Sequence, residues 1–124
     1  MNSKVFLVVR ILLGVFVLVF GLNKFLHFIP FGEMPEAAMN YFGALSSTHT
    51  MTMVAIVEIL AGLALILNKY GALMSVILMS VSVNAVLFHA TLAPEGVGPA
   101  LLLLILNIAA VFGYKDRYSD MLRA

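Results

Sequence analysis

Four apolar stretches, at about residues 4–26, 51–67, 70–90 and 97–113, take up most of the 124-residue chain. Each approaches the ~20 residues that an α-helix needs to cross the hydrocarbon core of a bilayer. In lipid every backbone N–H and C=O must be paired within the protein, which leaves only helices and closed barrels. Apolar runs of this length, without strict alternation, select helices. The expected fold is therefore all-α, an integral membrane four-helix bundle forming a single transmembrane domain over residues 1–124.

Composition narrows the function classes. The chain is 63% hydrophobic and 10% charged, whereas about a quarter of the residues in soluble domains are charged. No length remains for a separate soluble module, so any chemistry belongs in or at the membrane. Seven basic and six acidic residues give a net charge of +1, without the clustered basic face that nucleic acid requires. Nucleic acid is excluded as a partner; the lipid bilayer and a membrane protein partner or a second copy of the chain are the partners expected. There is no cysteine, so thiol exchange and thiolate metal sites are excluded and redox chemistry would need a bound cofactor.

The connections set the topology. Asn68-Lys69 and the segment from Thr91 to Gly96, broken by Pro94 and followed by Pro99, are short enough to make consecutive spans antiparallel neighbours. The connection over residues 27–50 is longer and punctuated by Pro30, Gly32 and Pro35. Within it Pro35 suits a first helical position, and Ala38, Tyr41, Phe42 and Leu45 recur at helical spacing. A short interfacial helix between helices 1 and 2 is expected there. Lys4, Arg10, Lys69, Lys115, Arg117 and Arg123 fall on one side of the bilayer, against Glu33, Glu36 and Glu95 on the other, so both termini are expected to be cytoplasmic. Tyr70, Tyr114 and Tyr118 then sit at the inner interface and Tyr41 at the outer one. Arg10 interrupts the first apolar run and no small-residue cleavage site follows it, so residues 1–26 read as a retained helix rather than a signal peptide.

Glu58 is the anomaly. It lies in the middle of the second span, where a carboxylate costs roughly 2.5–3.5 kcal/mol on insertion scales and should face the bundle interior with a partner. Counting ~1.5 Å per residue puts Glu58 ~10 Å and Asn84 ~9 Å below the outer surface, with His89 close to that surface. Lys24 ends the first span on the same side and can reach inward. Helical phase agrees with depth. Arg10, Gly14, Gly21 and Lys24 share one face of the first span, and Ala55, Glu58 and Gly62 one face of the second. The third span carries Ser75, Ser82 and His89 on one side and Ser80 and Asn84 on nearly the other, with Asn107 of the fourth span as a candidate neighbour.

The expectation is a Lys24–Glu58 ion pair or hydrogen-bonded network, extended by His89 and with Asn23 or His27 as further candidates. Three readings of this cluster stay open: polar glue between helices, a ligand or cofactor pocket, and a proton or ion pathway. The candidate pocket is Lys24, Glu58, Asn84 and His89, with Arg10, Asn23 and His27 as lesser candidates. Arg10 reads most simply as a side chain snorkelling to the inner interface. His27, His49 and His89 show no paired metal-ligand spacing, so no metal site is expected. Ser46, Ser47 and Thr48 beside His49 lack an orienting acid and read as a loop. No side chain is singled out as catalytic.

Several of these segments together resemble a known family. The run from Arg10-Ile-Leu-Leu-Gly14 to Gly21-Leu-Asn-Lys24, the Glu58-x-x-x-Gly62 span, Asn84 with Phe88-His89, and Tyr114-Lys-Asp-Arg-Tyr-Ser-Asp120 are similar to the DoxX-like family of small four-helix bacterial membrane proteins. The resemblance covers nearly the whole chain and matches that family's pattern at Arg10, Lys24, Glu58 and His89. It implies the bacterial inner membrane and a small subunit or accessory protein of a redox or envelope process, as in thiosulfate:quinone oxidoreductase. It also implies a quinone as the cofactor to look for, its head group held in the outer-half pocket. The alternatives are a small proton-coupled transporter, whose essential glutamate would belong in the first span, and a non-catalytic membrane assembly factor.

Overall fold

The computed structural model describes residues 1–30 and 32–124. Its helices are α1 (Ser3–Leu26), α2 (Glu36–Ser47), α3 (Thr50–Leu67), α4 (Gly71–Leu92) and α5 (Val97–Gly113), with 3-10 turns at Pro94–Gly96 and Lys115–Tyr118. Helices α1, α3 and α4 are each long and apolar enough to span a bilayer, and α5 becomes so with the preceding 3-10 turn, as Pro94–Gly113. That turn lengthens a stretch which hydropathy alone left short. A second boundary differs from expectation: α4 continues past residue 90 to Leu92, and within that last turn the Thr91 hydroxyl donates to the Leu87 carbonyl at 2.7 Å.

The spans pack in the cyclic order α1, α3, α4, α5, each consecutive pair antiparallel, so the bundle closes with α1 against α5. Phe6 of α1 meets Tyr114 just beyond α5 edge-on at 4.9 Å between ring centroids, which places both chain termini at one end. The core runs along the bundle axis through Leu13, Val17, Ala61, Leu65, Leu78, Leu103 and Ala110. Outward positions such as Val8, Leu12, Leu60, Leu73 and Ile105 stay exposed, as expected where lipid is the solvent.

The helix ends explain the turns. Asn2 caps α1, its side-chain oxygen accepting from Val5 N at 2.8 Å. His27, His49, Asn68 and Tyr70 hold positive φ, and each stands at a helix end. Asn68 and Tyr70 together reverse the chain between α3 and α4 within three residues. Helix α2 follows Pro35 and is not a separate body: Ala38 packs with Phe88 and Ala93, and Tyr41 stacks on Phe88 at 5.1 Å, tying it across the end of the bundle.

Candidate functional site

Helices α1 and α3 approach closely because small residues face each other along the seam. A Cβ on Gly14 would lie 3.1 Å from the Gly62 carbonyl oxygen, and one on Gly21 would lie 3.0 Å from Glu58 Cβ and 3.1 Å from the Ala55 oxygen. The faces read from helical phase are therefore the faces that touch. This approach brings the end of α1 onto the middle of α3, where Lys24 Nζ stands 2.5 Å from Glu58 Oε1.

Glu58 is buried, with 5% of its side chain exposed, while Lys24 retains 18%. The acid is thus sealed inside the bundle and the base sits at its margin. Lys24 also donates to the Phe20 carbonyl at 3.4 Å, one turn back on its own helix. An ammonium has three N–H donors, and among the described residues these two contacts are its polar partners. Among the described residues no donor other than this ammonium reaches Glu58 Oε1. The pair combines a fixed acceptor with a donor that has spare capacity.

The other candidate residues have separate partners. Asn23 is buried and folds back on the chain after α1, its amide donating to Ile29 O at 3.2 Å and its oxygen accepting from Ile29 N at 2.7 Å. It fixes the start of the long connection. His27 is the exposed left-handed residue closing α1, where its N–H bonds Asn23 O. Asn84 is exposed and donates to the Tyr41 hydroxyl at 3.1 Å, fastening α2 to α4. His89 Nδ1 is 3.2 Å from Ala93 O at the end of its own helix, and its ring meets Phe88 edge-on at 4.9 Å. The expected extension of the ion pair by His89 or Asn23 is therefore replaced by local bonds, because each of these side chains finds a backbone partner within six residues, and the exposed His27 makes no ion pair with Glu58.

Arg10 also differs from expectation. Instead of snorkelling, it donates through Nη1 to Leu65 O at 2.6 Å and Ile66 O at 3.2 Å. These carbonyls close α3 without intrahelical partners, and a cation at the negative end of the helix satisfies both needs. Near it Tyr114 and Tyr118, just beyond the end of α5, are buried against the neighbouring helices. Tyr114 donates to Asn68 Oδ1 at 2.6 Å, passing over Gly71, and Tyr118 donates to Ala72 O at 2.7 Å. Burial raises both phenols above their ordinary range. A third cluster lies in the core between α4 and α5, where Ser82 donates to Asn107 Oδ1 at 2.6 Å and Asn107 donates to Ser75 O at 2.9 Å. Among the described residues no three His, Asp or Glu side chains gather around a metal-sized space.

With this geometry established, comparison with known proteins decides the family. The DoxX family model matches residues 5–91. The chain belongs to the DoxX family. The matched region contains all but the first two residues of α1, all of α2 and α3 and nearly all of α4, and with them the small-residue seam, Arg10, Lys24 and Glu58. It ends short of α5 and of Tyr114 and Tyr118 beyond it. No curated protein and no solved structure matches the chain. As a DoxX-family protein with four apolar spanning helices, it is a multi-pass integral membrane protein.

Proposed function

We propose that this DoxX-family protein is a small membrane subunit or accessory protein of a quinone-linked redox or envelope process in the bacterial inner membrane, both termini cytoplasmic. In this reading the Lys24–Glu58 pair is the polar end of a pocket in the outer half of the bilayer. The observation that carries it is the marginal position of Lys24: its ammonium is anchored at 2.5 Å by a buried carboxylate and keeps a donor for an incoming oxygen. A quinone carbonyl accepts such a bond, and the sealed Glu58 carboxylate holds the ammonium in place to donate it. The exposed Phe25 and Leu26 beside Lys24 offer apolar surface for a tail. Asn84 and His89 have partners of their own, so the proposal rests on Lys24 and Glu58. The isolated chain is not proposed to be a catalyst.

The test is quinone content after mild purification. Native protein should retain a quinone extractable by organic solvent, and Glu58→Gln and Lys24→Gln should retain at least about tenfold less while staying helical, the loss expected when a hydrogen bond involving a charged group is removed. A native protein that retains none, from membranes rich in quinone, overturns the proposal. A purely structural lock is the rival reading, favoured by the close approach of Gly21 to Glu58 Cβ. It predicts that both variants lose the fold, with no quinone in either the native protein or the variants.

A further inference from the structure

At the end of the bundle opposite the Lys24–Glu58 pair, an open cleft of about 620 Å³ lies between the α3–α4 turn, the first turns of α4 and the C-terminal segment. Its floor is fixed by the bond from Tyr118 to the Ala72 carbonyl. Lys69 and Arg117 stand at its rim, and Leu73, Val76 and Met121 line its apolar side. Both cations are exposed, and among the described residues the ion pairs are Lys24–Glu58 and Arg123–Asp120, so neither Lys69 nor Arg117 is matched by a carboxylate. Lys69 lies two residues before α4 begins and Arg117 four residues after α5 ends. The charges therefore sit at the level where a spanning helix leaves the hydrocarbon. Leu73 and Val76, one turn apart on α4 and both exposed, run from there toward the bilayer centre.

We infer that this cleft binds one anionic glycerophospholipid, its phosphate between Lys69 and Arg117 and an acyl chain along Leu73 and Val76. Charge complementarity selects this occupant. Two unmatched cations favour a phosphodiester with no compensating ammonium, since a choline group brought to the same rim would be repelled. A guanidinium can take a phosphate through two parallel bonds, while lysine acts as a point charge. Basic recesses between spanning helices at the headgroup level are suited to such lipids. The apolar wall distinguishes a lipid from a free anion, which would gain nothing from Leu73 or Val76.

The test is native mass spectrometry of the full chain from nanodiscs containing phosphatidylglycerol and phosphatidylcholine with identical acyl chains. At about 1 kcal/mol per basic side chain near the headgroups, the two cations should give a preference of about 30-fold for the anionic lipid. Lys69→Gln with Arg117→Gln should abolish that preference, whereas the charge-matched pair Lys4→Gln with Lys115→Gln should leave it within about threefold of native. Equal losses in the two double variants would mean diffuse attraction and overturn the site. So would displacement of the lipid by millimolar inorganic phosphate, which would make it a free-anion site. Should the first double variant fail to fold, a photoactivatable acyl chain on phosphatidylglycerol decides with native protein. Cross-links at Leu73, Val76 or Met121 support the site, and cross-links confined elsewhere refute it.

Discussion

Gly62 gives the sharpest test of how α1 and α3 are joined. A Cβ there would lie 2.8 Å from the Gly14 carbonyl oxygen, 2.8 Å from Leu18 Cβ and 3.0 Å from Leu18 N, where ordinary contact begins at 3.4 Å. Two of these neighbours are backbone atoms, which no rotamer change can move. Gly62→Ala must therefore push α1 outward by roughly 0.6 Å, a local overpacking of the kind that costs about 1–3 kcal/mol. In lipid the loss is not offset by solvent, since helix association there depends on close packing. Gly43 is the control: it lies inside α2, and a Cβ on it would meet nothing within 4 Å. Gly43→Ala should stabilise by up to about 1 kcal/mol through helix propensity alone. Unfolding in mixed micelles, followed by circular dichroism, reads both variants. Equal midpoints for Gly62→Ala and native protein would refute the packing argument, as would equal destabilisation by the two substitutions.

Other expectations concern the remaining polar contacts. Asn107→Leu removes both bonds that join α5 to Ser75 and Ser82, and should cost about 1–2 kcal/mol in the same unfolding assay, Ser82 keeping its fallback bond to Leu78 O. Arg10→Met leaves the Leu65 and Ile66 carbonyls uncapped and should cost about 1–2 kcal/mol, with Arg10→Lys intermediate because it cannot reproduce the guanidinium geometry. Tyr114 and Tyr118 have folded-state pKa values raised above 10.0 by burial. Protonated phenols therefore stabilise the folded chain below the unfolded value, and this contribution is lost as pH rises through the folded one. The combined Tyr114→Phe and Tyr118→Phe variant should be less stable at neutral pH and lose less stability on passing into the alkaline range. Parallel pH profiles for native and variant proteins would contradict that.

What the chain disclosed before its coordinates follows from the physics involved. Span positions were legible because lipid demands long apolar helices, and α1, α3 and α5 end within a residue or so of the expected limits. The Gly14, Gly21, Ala55, Glu58 and Gly62 seam was legible because helical phase and antiparallel depth are both countable from sequence. The Lys24–Glu58 meeting follows from the same two counts. The partner of a long or terminal side chain was not countable. Arg10 can reach water or a neighbouring helix with equal ease, and only the crossing register shows that the Leu65 and Ile66 carbonyls lie within its span. Tyr114 and Tyr118 carry the amphipathic signature of interface residues, and their burial depends on Gly71 leaving room for the Tyr114 ring. His89 and Asn84 were placed at the correct end, but depth does not say which helix they face. Docking of α2 through Tyr41 and Phe88 settles Asn84, and the Ala93 carbonyl settles His89.

The central physical claim is that Lys24 and Glu58 hold each other within the membrane-spanning bundle, and a double-mutant cycle measures it. Removing one partner of a buried pair costs about 3–5 kcal/mol. Lys24→Met should approach that figure because it strands the sealed carboxylate, and Glu58→Leu should cost less because the marginal ammonium can turn outward. The double variant should be more stable than Lys24→Met alone, giving a coupling of at least about 1 kcal/mol. Strictly additive losses in the two single variants would mean that the two charges do not interact, and would contradict the account.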